Sequence, residues 1–133
     1  MKHALVAGLL GAAVALTTLP ATAQMSARIG DFVATADHTA TGKAIIVQGG
    51  GQYIVRLTKD FAIDGADDVV VGLGKDGSYH PETLLGVLDG SKGAHLFPVP
   101  ASIQSEDFNE VYIWSRSLDA PVAVALLNTG PNQ

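Results

Sequence analysis

The stretch Gly42-Lys43-Ala44-Ile45-Ile46-Val47-Gln48-Gly49-Gly50-Gly51-Gln52-Tyr53-Ile54-Val55-Arg56-Leu57-Thr58-Lys59 decides the fold. Two arms rich in β-branched residues flank three glycines. In the second arm Tyr53, Val55 and Leu57 alternate with Ile54, Arg56 and Thr58, the period of a half-buried antiparallel strand. Glycine tolerates the positive φ of a tight turn, so residues 42–48 and 52–59 are predicted to pair as a hairpin about Gly49-Gly50-Gly51.

The same reading extends in both directions. Further strands are predicted at Ile29 to Thr35, Val69 to Leu73, Leu84 to Leu88, Ala94 to Phe97, Val111 to Arg116 and Val122 to Leu127. Asp64-Gly65, Asp76-Gly77, Asp89-Gly90 and Pro98-Val99-Pro100 supply the turn chemistry between them. No long helix is expected; Ser105-Glu106-Asp107 suits one helical turn that Asn109 does not extend. Some eight short strands in this length predict an all-β fold, a small antiparallel β-sandwich or flattened barrel.

The N-terminus reads as a cleavable signal peptide over residues 1–23. Lys2 and His3 precede a charge-free run from Ala4 to Leu16, and Ala21-Thr22-Ala23 is the small-x-small pattern that precedes cleavage. The run is shorter than the ~20 residues needed to cross a bilayer, so no stable membrane span is expected after cleavage. Residues 24–133 then form one domain with a core over about 29–127, and the tail from Thr129 to Gln133 is expected to be loose. This address predicts a periplasmic or extracellular protein. The full chain carries a formal net charge of −5; cleavage removes Lys2 and no acid, which makes it −6. That sign argues against nucleic acid and anionic lipid surfaces as partners. No cysteine is present, so neither a disulfide framework, nor lipoprotein acylation, nor thiol chemistry is open to the chain.

Asp37-His38 is the most suggestive polar feature, because an imidazole in a Ser/Thr/Gly-type loop can ligate a metal or move a proton near neutral pH. The plainer reading has His38 donating to a backbone carbonyl and pinning the loop before Gly42. No second ligand lies at a metal-like spacing, and His38, His80 and His95 would have to converge in space, so no metal site is assigned. Along residues 111–116, alternation puts Val111, Ile113 and Ser115 on one face and Tyr112, Trp114 and Arg116 on the other. Ser115 is expected to be a small buried residue whose hydroxyl bonds a nearby carbonyl, and Trp114 to serve packing. The acidic turn Asp64, Asp67 and Asp68 lacks the oxygen spacing of a calcium loop and reads as solvated. Neither Ser91 nor Ser115 sits in a nucleophile elbow, and the glycine runs are not followed by a helix that could hold phosphate.

In order along the chain, Gly30-x-Phe32, Asp37-His38-Thr39-Ala40-Thr41-Gly42, Leu57-Thr58-Lys59-Asp60-Phe61, Asp67-Asp68-Val69-Val70-Val71-Gly72-Leu73, Leu85-Gly86-Val87-Leu88, the Gly93 to Pro100 segment, Phe108, Val111-Tyr112-Ile113-Trp114-Ser115 and Ala123-Val124-Ala125-Leu126-Leu127 resemble the DM-thirteen domain family, often labelled an electron-transfer domain. The resemblance implies a small extracytoplasmic β-sandwich, a link to redox partners and no established catalysis. In that family a cysteine usually follows the tryptophan, and Ser115 stands at the matching position. Serine has no access to the oxidised states of a thiol, so a redox role through this position is not expected.

The expectation for function is a non-enzymatic binding or accessory module that meets a partner protein or small ligand, with Asp37, His38, Asp60, Trp114 and Ser115 as candidate binding residues. Asp60 is included for its place in the family-like motif. The alternatives are a redox or electron-transfer accessory that borrows a metal or haem through His38, and a structural envelope protein. The sequence names no cofactor.

Overall fold

The computed structural model describes residues 26–35, 37–64 and 66–128. The proposed signal peptide with its cleavage site and the tail from Thr129 lie outside the described residues. Eleven strands follow one another: β1 (Ser26–Ala34), β2 (Ala40–Thr41), β3 (Lys43–Gly49), β4 (Gln52–Leu57), β5 (Ala62–Ile63), β6 (Val69–Lys75), β7 (Ser78–His80), β8 (Gly86–Val87), β9 (His95–Val99), β10 (Glu110–Ser115) and β11 (Ala120–Leu126). Two single 3-10 turns, Pro81–Thr83 and Ser105–Asp107, are the only helical pieces among the described residues.

The expected all-β fold is present as one curled antiparallel sheet in the order β7-β6-β10-β11-β1-β3-β4-β9, with β8 beside β6. Strand β1 makes the curl possible because it serves both halves. Its first part pairs with β3, from Ser26↔Gln48 to Asp31↔Lys43, and its last part pairs with β11, from Phe32↔Ala125 to Ala34↔Ala123. The two halves close over one core as a flattened half-barrel. Phe32, Ile46, Val55, Leu57, Phe97 and Val99 enter it from one side, and Val71, Leu73, Val111, Ile113, Ala123 and Ala125 from the other. Phe61 fills the space between them and meets Phe32 at a centroid distance of 5.3 Å.

The β3–β4 hairpin turns on Gly50 and Gly51, whose φ values of 61° and 77° are those a two-residue turn with right-handed strand twist demands. Val55 and Leu57 face the core as the alternation predicted. Other expectations shift. The Leu84–Leu88 strand shrinks to β8, because the Thr83 hydroxyl is bonded to both backbone groups of Leu73 and bends the preceding chain into a 3-10 turn. The Pro98-Val99-Pro100 punctuation begins later than expected, since β9 continues to Val99; it is an edge strand, where the missing N–H of Pro98 is tolerated. His80 ends the short strand β7.

Candidate functional site

Strand order brings three separated segments to one end of the half-barrel. The ribbon β2–β5, paired through Ala40↔Ile63 and Thr41↔Ala62, sets the loop Asp37–Thr39 beside Asp64. The backbone closes that contact: Asp64 N–H donates to Thr39 O at 3.2 Å, and His38 N–H to Thr35 O at 3.1 Å. Thr35 is itself anchored to β11, with its hydroxyl 2.7 Å from Pro121 O. The third segment is the β10–β11 turn from Arg116 to Asp119. Together Asp37, His38, Asp64, Ala66, Asp67, Ser117 and Leu118 line a shallow concavity of about 260 Å³.

Within it, His38 Nδ1 lies 3.1 Å from Asp64 Oδ1. A carboxylate only accepts, so Nδ1 carries the proton; in the neutral ring Nε2 is then the accepting nitrogen. The expected carbonyl partner is therefore replaced by a side-chain carboxylate, which fixes the tautomer as well as the ring's direction. The His38 side chain is 17% exposed, enough for a ligand atom to reach it from the concavity. Asp37 stands at the rim, exposed and with φ of 71°, a conformation that Asp tolerates better than most residues.

Ser115 lies directly behind this site. It is fully buried, as the alternation of β10 predicted, and its hydroxyl donates to Asp67 O at 2.8 Å. The same oxygen accepts Leu118 N–H at 3.2 Å and lies 3.3 Å from Ser117 Oγ. One hydroxyl thus ties the β10–β11 turn to the acidic segment that carries Asp64. A register shift between Ile113 and Trp114 accompanies the approach to this turn. Next to it, Arg116 clasps Asp68, with Nη2 at 2.7 Å and Nε at 3.2 Å from Oδ1. Of the three acids weighed for calcium, then, Asp64 faces His38 and Asp68 faces Arg116.

Two candidates lie elsewhere. Trp114 is on the outer face, stacked on Tyr79 at a centroid distance of 4.4 Å and 16° between planes, with Tyr112 following at 5.5 Å from Tyr79. Gly72 makes room for this layer: a Cβ there would stand 2.7 Å from the Tyr79 ring, and one at Gly74 would collide with the Tyr112 ring. Burial holds the Tyr79 phenol above its ordinary pKa, and burial with the nearby Glu110 charge pushes Tyr112 up to about 12. Asp60 is exposed, receives the Thr58 hydroxyl at 2.6 Å, and lies in the turn that follows β4. The site residues that the sequence did not single out are Asp64 as the partner of His38, Asp67, Ser117 and Leu118. Spacing carried no signal for them, although the acidic turn had marked two of them as polar.

Among the described residues no three His, Asp or Glu side chains gather at metal-binding distance. His80 pairs with Glu82 at 3.0 Å, and His95 faces the carbonyls of Gly93 and Asp89, so neither joins His38. The donor set here is one imidazole nitrogen with flanking carboxylates, which does not fit a metal held by this chain alone. Its chemistry is hydrogen-bond acceptance at Nε2 beside negative charge. No helix among the described residues is long and apolar enough to cross a membrane. Comparison with curated proteins and with solved structures returned no match. A family profile described as Electron transfer DM13 matches residues 31–127, a span that takes in β2 to β11, the His38 loop and Ser115. The chain belongs to the electron transfer DM13 family.

Proposed function

We propose that this protein is an exported, non-enzymatic accessory module of the DM13 family that docks a redox partner protein through the end of the half-barrel bearing Asp37 and His38. The observation that carries the reading is the His38–Asp64 pair at 3.1 Å, held on the β2–β5 ribbon with one ring nitrogen directed to accept. Asp37, Asp64 and Asp67 line the same concavity as His38 and give it negative charge, which suits a Lys or Arg side chain of the partner. Export rests on the sequence of residues 1–23, and the redox connection rests on family membership.

A photo-crosslinking residue in place of exposed Asp37, expressed in the source cells, tests this. One defined protein adduct, absent when the crosslinker replaces Lys75 at the other end and lost on His38→Ala, is the expected result. Equal adducts from both positions, or none from either, would overturn it.

One observation favours a second reading. A histidine whose Nδ1–H is held by a carboxylate is oriented as metal-ligating histidines are, so His38 Nε2 could complete the coordination of a metal or haem carried by another protein. Redox-active metal that co-purifies in the cross-linked complex but not with the free module would favour it.

A further inference from the structure

The outer face of β3, β4 and β9 breaks the usual alternation of apolar-in and polar-out. Cross-strand pairing aligns Ile45, Arg56 and Leu96 in one row and Val47, Ile54 and Pro98 in the next, so a single cation stands among five apolar residues on the solvent side. Leu96 is 65% exposed. Val47, Ile54, Arg56 and Leu96 from these rows and the Lys59–Asp60 turn line an open groove of about 1040 Å³, the size class of small-molecule sites. In a chain of net charge −5, its rim carries Arg56 and Lys59, neither of which forms an ion pair among the described residues, against the single acid Asp60.

From this we infer that the groove binds a free single-chain carboxylate amphiphile of the fatty-acid class, with the alkyl chain along Val47, Ile54 and Leu96 and the carboxylate at Arg56 and Lys59. Local positive charge on an acidic protein selects the anion, and the apolar rows select the chain. Peptide addition to the edge of β9 is opposed by Pro98, which lacks an N–H. A two-fold pairing of this face with a second copy would bring the rim cations of both copies together.

The test is calorimetric titration of the purified protein with laurate below its micellar concentration, beside lauryl alcohol and anionic phospholipid vesicles. Saturable binding of laurate is expected, weakened about tenfold by the exposed double substitution Arg56→Gln/Lys59→Gln and by Leu96→Ser. Tight binding of the alcohol, binding to vesicles alone, self-association at the titration concentration, or no binding of laurate would each overturn the inference. His38→Ala, which leaves this face intact, should bind laurate normally, so the groove and the His38 end fail or stand separately.

Discussion

At one end of the half-barrel Arg28 turns inward and donates to Phe108 O at 2.7 Å and to Ser105 O at 2.9 Å, while Glu110 accepts the Gly77 N–H at 2.9 Å. At the other end Ser115 closes a similar set of bonds, but His38 beside it makes one side-chain hydrogen bond and its side chain stays 17% exposed. Both ends close the same core with buried polar groups. They differ in what faces solvent: at the Arg28 end the Ser105 hydroxyl has no hydrogen-bond partner but is sealed in the interior, whereas His38 lies partly open to the concavity. A polar group sealed in the interior can only hold structure, whereas one held in place within reach of solvent can recognise something else.

This difference orders the expected effects of substitution. Arg28→Met should be the most damaging, since two carbonyls lose a charged donor; the loss should be about 2–3 kcal/mol in a denaturant melt. Burial already draws this guanidinium below its ordinary pKa, against the pull of Tyr53 and Glu106, which marks how far it has left water. A loss under about 0.5 kcal/mol would make that end as permissive as an exposed surface. Ser115→Ala should cost about 1–2 kcal/mol, because Asp67 O and Leu118 N–H lose their shared partner. Partner cross-linking should weaken only as far as the turn loosens.

Tyr112 sharpens the comparison through pH. Its folded-state pKa of about 12 lies above the ordinary 10, so the folded protein holds the phenolic proton more tightly than the unfolded chain. That contribution is complete below pH 10 and is lost as pH rises from about 10 to 12. Stability measured across this window should fall, and Tyr112→Phe should flatten the fall; an unchanged alkaline slope in the variant would assign it to other groups. The smallest stability effect belongs to His38→Ala, below about 1 kcal/mol for a pair open to solvent on the Asp64 side. Its large effect should be on cross-linking. A melting temperature that drops as far as in Ser115→Ala, with cross-linking intact, would place His38 among the structural residues.

Much of this was legible in the sequence where the signal is local. Alternation identified the β3–β4 hairpin and turned Ser115 inward, because both follow from the strand period within a few residues. The short strands β2, β5 and β7 were not legible: two or three residues carry no period, and they exist because distant partners align them. The His38–Asp64 pair was missed for the same reason, being separated by 26 positions and joined only once β2 meets β5. The apolar outer face escaped notice because alternation set Ile54 on the side of Arg56 within one strand, but only the cross-strand register lines it up with Val47 and Pro98 and sets Leu96 beside Arg56. The family resemblance, by contrast, was readable from motif order, and the profile match over residues 31–127 bears it out.

The most direct test of the account is elemental analysis with a visible spectrum on the protein purified from its source cells without chelator or affinity metal. An accessory module whose own donor set is one imidazole nitrogen should yield metal far below one equivalent and no visible band. One equivalent of metal or haem, lost on His38→Ala while the fold persists, would contradict it and make the His38 end a resident redox centre.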